Sequence, residues 1–88
     1  MTYTVAIRQD EDGNYCVSVP AIRGCFTYGA TWEEALENAE EAVLCCLDAM
    51  AKDGEPPPPD VDPVAVSMEE SDQVILHRLK VREAVLNA

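Results

Sequence analysis

Seventeen acidic side chains, four cysteines and a single histidine are the groups in this sequence of 88 residues that could do chemistry. Their spacing decides which chemistry is open to them. A metal-dependent nuclease needs several carboxylates that converge on two cations. Here no acid falls on a clear strand position. Asp10, Glu11 and Asp12 lie in a turn, and Glu33, Glu34, Glu37, Glu40, Glu41 and Asp48 lie in a helical stretch. Three acids in a row also lack the alternating oxygen ligands and closing glutamate of a calcium loop. Cys16, Cys25, Cys45 and Cys46 lack the C-x-x-C spacing of a zinc site. Cys45 and Cys46 project about 100° apart on a helix; Cys16 and Cys25 fall on neighbouring strands and could approach one another. Small buried apolar residues are the plainer account of all four. Nothing places His77 near a cysteine, which leaves no Cys–His nucleophile. The sequence reads as a binding protein and not an enzyme, with no metal and no cofactor.

The charge is unevenly spread. The formal net charge is −11; residues 1–70 hold 15 acids and three bases, and residues 71–88 hold two acids and three bases. Such a body repels nucleic-acid phosphates, and it attracts and steers a basic partner. Solubility alone is the plainer reading of the same charge. Phe26 and Tyr28 alternate with Cys25 and Thr27 on a short strand, so an aromatic pair faces away from one side of the sheet. With Glu33, Glu37, Glu40 and Glu41 on the outer side of the helix, it makes the candidate partner-binding surface. His77 to Arg82 is the basic cluster. Arg78, Lys80 and Arg82 are candidate contacts for nucleic acid or another subunit, and pairing with the acidic body is the simpler alternative. The start of the chain lacks a basic region followed by an apolar run, and no apolar stretch nears the ~20 residues of a membrane span. A cytoplasmic protein with reduced cysteines is expected.

These residues need elements to hold them. Thr31 to Asp53 carries helical periodicity: Trp32, Leu36, Ala39, Val43, Leu47 and Met50 recur at steps of three and four, and Ala35, Ala42 and Cys46 widen the face. Thr31 with Glu34 reads as a capping box. Gly54 and Pro56 to Pro59 stop the helix. Before it, Thr2 to Arg8 alternates as a half-buried strand with Tyr3, Val5 and Ile7 inward. Asp10 to Asn14 is a turn with an Asp-Gly pair. Tyr15 to Val19 and Cys25 to Tyr28 are further strands. Asp53 to Asp62 is a stiff proline-rich linker, and Val64 to Met68 is the expected fourth strand, able to add in parallel through a right-handed crossover. Ser71 to Ala88 stays open between a helix and a strand followed by a helix. The fold class is α+β: a three-stranded antiparallel meander, one long helix packed on it, a fourth strand after the proline-rich linker, and a short C-terminal tail. Residues 1–70 are the domain, and 71–88 a tail or oligomerisation arm.

The run Asp12-Gly13-Asn14-Tyr15, Val19-Pro20, Gly24-Cys25, Thr27, Gly29-Ala30-Thr31, Glu33-Glu34-Ala35, Asn38-Ala39 and Glu41-Ala42 resembles the N-terminal domain of the HicB antitoxin family. The likeness covers roughly residues 3–59, and the order and spacing of the pieces carry it, since each is short. Ala30 stands where the family pattern has aspartate. The resemblance implies a partial ribonuclease-H-like fold without nuclease activity. It also implies a partner, HicA, a small basic toxin that cleaves mRNA and is masked by steric cover, and assembly into homo-oligomers such as dimers or tetramers. Many family members add a DNA-binding C-terminal domain; the 20 residues after Met68 are too few for one. The alternatives are a stand-alone oligomeric structural or regulatory module with no toxin partner, and a weak DNA-binding autorepressor.

Overall fold

The computed structural model describes residues 1–62 and 74–81. Strand β1 (Thr2–Gln9), β2 (Tyr15–Ser18) and β3 (Phe26–Gly29) are followed by helix α1 (Trp32–Lys52) and strand β4 (Ile75–Lys80). The strands form one antiparallel sheet in the order β3-β2-β1-β4, and α1 lies across one face of it. This is the α+β architecture expected. The first turn is tied by Asp10, whose carboxylate accepts from the Asp12 and Asn14 backbone N–H groups, both at 2.9 Å.

Helix α1, about 31 Å long at 1.5 Å per residue, starts and stops where its end residues dictate. The Thr31 hydroxyl accepts from the Glu34 N–H at 3.1 Å. The returning Glu34 carboxylate takes the Ala30 N–H at 3.3 Å rather than that of Thr31. At the other end the Glu55 N–H reaches the Met50 carbonyl at 2.8 Å and the Gly54 N–H that of Ala51 at 3.0 Å. That pair of bonds is a Schellman motif, and it requires the left-handed φ of +78° that Gly54 adopts. Ala35, Ala39, Val43, Leu44 and Leu47 are buried, with Trp32, Leu36, Ala42, Cys46 and Met50 packed beside them. Leu44 was absent from the expected stripe and extends it by one row.

The core lies between α1 and the inward residues Tyr3, Val5, Ile7, Val17 and Leu79. Gly29 lets the helix come this close: a Cβ there would stand 2.4 Å from the Ala35 nitrogen. β1 is more buried than a half-exposed strand, since Thr4 and Ala6 on its other face are also buried. β2 pairs with β1 only as far as Ala6, opposite Ser18. Beyond that point the linker takes over. Asp60 accepts from the Thr4 N–H at 2.8 Å and from its hydroxyl at 2.9 Å, and the Tyr3 hydroxyl donates to the Pro58 carbonyl at 2.6 Å.

The strand expected at Val64–Met68 lies outside the described residues. The fourth strand among them is Ile75–Lys80, inside the stretch that the sequence left open between helix and strand. It runs antiparallel to β1, from Ile75 opposite Ile7 to Lys80 opposite Thr2, although a strand after a long helix is able to add in parallel. The geometry explains the sense. α1 begins at the end of the sheet where Gly29 pairs with Tyr15. The linker touches Tyr3 and Thr4 at the other end, and β4 starts back at the first.

Candidate functional site

The alternation on β3 sends its side chains to two faces, and the packing of α1 decides which set stays open, a point the sequence left undecided. Phe26 and Tyr28 are 71% and 69% exposed on the sheet face that α1 leaves open. By register Tyr28 lies opposite Cys16, which lies opposite Arg8; Phe26 lies opposite Ser18, which lies opposite Ala6. A concavity of about 750 Å³ runs over this face, lined among the described residues by Arg8, Cys16, Ser18, Phe26, Tyr28 and Val74 in particular. It is an aromatic wall with polar and cationic groups across from it. That composition suits a protein surface with aromatic or mixed side chains.

The four glutamates sit elsewhere. Glu33, Glu37 and Glu41 are exposed and Glu40 is half-buried, all on the outer part of α1. The helix packs on one face of the sheet and the aromatic pair lies on the other, so the structure does not join them into a single patch. Arg78 and Lys80 are exposed on β4. They alternate with buried Leu79, pair with Thr4 and Thr2, and therefore share the open face with Phe26 and Tyr28. Arg82 lies outside the described residues.

His77 packs edge-on against Trp32 with ring centroids 5.8 Å apart, and Tyr15 meets the same indole at 5.7 Å. No cysteine is paired in a disulfide among the described residues, and the expectation of four small buried residues holds for Cys25 alone: Cys46 is half-buried, and Cys16 and Cys45 are exposed. Cys25 sits against Cys46 of the helix, not against Cys16, because its side chain points to the helix side while Cys16 is exposed on the open face. Burial, the hydrogen bond with Cys46 and the nearby Cys45 together push the Cys25 thiol up to about 12. That is the opposite of the depressed value an attacking thiolate needs. Tyr3 is raised as well, by burial first and then by the Asp60 carboxylate. No helix of the described residues is long and apolar enough to cross a membrane.

Two positioning residues escaped the sequence reading. Asn38 donates from its side-chain amide to the Tyr28 carbonyl at 2.9 Å, tying the helix to the strand that carries the aromatic pair. An asparagine in a helix interior is the signal that pointed to it, since that residue type disfavours helix unless it bonds elsewhere. Asp60 had no such signal, because its partner Thr4 lies 56 residues away in the chain.

With this geometry in hand, the chain can be set beside known proteins. A family model for the HicB-like antitoxin of bacterial toxin–antitoxin systems matches residues 3–85. A UPF0150 protein of Thermoplasma acidophilum is 50% identical over 60 residues, covering 68% of this chain and 87% of that protein. The antitoxin HicB 1 of Photorhabdus laumondii is 35% identical over 80 residues, which is 86% of this chain and 52% of that longer one. A solved HicA3 and HicB3 toxin–antitoxin complex contains a chain of 30% identity and TM-score 0.74; the match covers 94% of this chain and 100% of that one. The fold is thus shared with a chain of that complex, and this protein belongs to the HicB-like antitoxin family.

Proposed function

We propose that this chain is an antitoxin that masks a small basic mRNA-cleaving toxin of the HicA kind by steric cover. The observation that carries the reading is the Phe26–Tyr28 pair, two large aromatic side chains left 71% and 69% exposed on a family member of net charge −11. Exposed aromatics of this sort anchor protein interfaces, and the acidic body draws a basic partner toward them. The similarity to a chain of a HicA3 and HicB3 complex supports a toxin as that partner. Masking needs no catalytic group, and the raised Cys25 thiol is unsuited to be one. The protein acts in the cytoplasm as a homo-oligomer, a dimer or tetramer.

The test is co-purification of a small basic protein with this chain from its native lysate, followed by an RNA-cleavage assay. Cleavage that is suppressed at equimolar antitoxin, and restored at least tenfold when Phe26→Ala and Tyr28→Ala are combined, is the expected result. Cleavage that proceeds unchanged in the presence of the wild-type chain would overturn it.

A further inference from the structure

The open sheet face is one concavity of this protein; another, of about 370 Å³, lies at the helix start and belongs to no role assigned above. It is lined by Ile7, Gln9, Tyr15, Trp32 and Ile75. We infer that this recess takes a cationic side chain, a guanidinium or an ammonium, from the basic partner. The inference rests on the toxin-masking reading for the partner's charge, and on the recess itself for the mode of capture.

Chain segments far apart in sequence make the site. Tyr15 opens β2, Trp32 opens α1, Ile75 opens β4 and Gln9 closes β1, so four element ends meet at one end of the sheet. The Tyr15 and Trp32 rings pack on each other edge to face, centroids 5.7 Å apart and 86° between planes, and so form one continuous aromatic wall. Ile7, fully buried, is the floor; Ile75, 54% exposed, is an apolar rim. His77 holds the indole in place from β4. An aliphatic stem can lie along Ile75 while its charged head meets the rings, which attract cations through their quadrupoles.

The charge around the recess favours that occupant. Glu11 and Asp12 lie in the turn that follows β1, and Glu33 and Glu34 follow Trp32, whereas the Asp10 carboxylate ties that turn and lines the open face with Arg8. The helix N-terminus contributes about half a positive charge, which opposes a cation. Four carboxylates, Glu11, Asp12, Glu33 and Glu34, lie at the same end of the sheet and favour a cation there. Arg8, the basic residue nearest in sequence, lines the opposite face of the sheet. An uncharged apolar side chain would fit the floor but would gain nothing from these acids.

The experiment uses the full 15N-labelled chain, without any toxin. It is titrated with an acetylated Gly-Gly-Arg-Gly-Gly amide, its lysine counterpart, and a counterpart with citrulline, which has the shape of arginine and no charge. The expected result is a saturable shift of the Trp32 indole N–H and the Gln9 side-chain amide with the two cationic peptides. Citrulline should bind at least tenfold more weakly, and Glu33→Gln, an exposed change, should weaken arginine binding about threefold. Tyr15→Leu should weaken it at least tenfold. Equal binding of the citrulline peptide, or shifts confined to Glu37, Glu41 and Asp48 with the indole unmoved, would overturn the proposal. Both outcomes are read on the wild-type chain, so an unfolded Tyr15→Leu does not blunt the test. Failure here leaves toxin masking standing, and loss of toxin masking leaves peptide capture in the recess standing.

Discussion

Cys25 and Tyr3 show how burial turns reactive groups into structural ones. Both titrate above their ordinary values, Cys25 from 9.0 to about 12 and Tyr3 upward from 10.0. A group whose folded value is raised stabilises the fold fully below its unfolded value and loses that contribution as pH rises through the folded one. For Cys25 the loss falls between pH 9.0 and about 12, and Tyr3 adds to it above pH 10.0. Stability by urea denaturation should therefore be flat from neutral pH to about 8.5 and decline steadily above it. In Cys25→Ala the decline should begin later and be shallower. The same burial predicts an order of thiol modification in the native protein. Iodoacetamide should label exposed Cys16 and Cys45 first and leave Cys25 unmodified until the chain unfolds, as mass spectrometry of timed digests would show.

Helix α1 is the element in which the sequence was most legible, because both of its ends are written in local chemistry: Thr31 and Glu34 at one, Gly54 and the prolines at the other. β1 to β3 were legible through alternation. β4 was not, since Val74 to Val81 places apolar residues at spacings that suit either a strand or a helix, and pairing with β1 decides between them. Burial of Thr4 was hidden too, because it depends on Asp60 arriving from the linker. The aromatic pair could be read from the alternation of a single strand. The recess could not, because Trp32 and Ile75 are brought together only by the sheet order. The seat of the helix also yields a prediction. Gly29→Ala would force its new methyl into the Ala35 backbone, where no side-chain rotation can relieve it. Overpacking of this kind costs about 1–3 kcal/mol. A thermal melt should show the loss, whereas Gly24→Ala should show only the backbone cost of its positive φ, about 1 kcal/mol.

Across the whole molecule, the acidic surface of α1 and the exposed aromatic pair lie on different faces. The outer part of α1 is acidic, and its Lys52–Asp48 pair at 3.1 Å is an exposed contact of little weight. The open sheet face carries the aromatic pair with Arg8, Arg78 and Lys80. Such segregation separates the rate of an encounter from its lifetime. Association with a basic partner should slow at least tenfold as salt rises from about 0.05 to about 0.5 M, while dissociation changes little, because salt screens long-range attraction more than close contact. Stopped-flow mixing at several salt concentrations separates the two rates. A dissociation rate that rose in step with the slowed association would show that the screened surface charges also hold the complex together.

The sheet order has a consequence for the chain as it is being made. β1 sits between β2 and β4, and β4 joins it residue by residue from Ile75 opposite Ile7 to Lys80 opposite Thr2, with the Val81 N–H on the Met1 carbonyl at 2.8 Å. At roughly 5–20 residues per second, synthesis leaves an interval of roughly 3–15 s between these strands. During that time a strand destined for the middle of the sheet has one side without its final neighbour. Until Ile75–Lys80 has been made, that edge of β1 is open to other strands and to proteases.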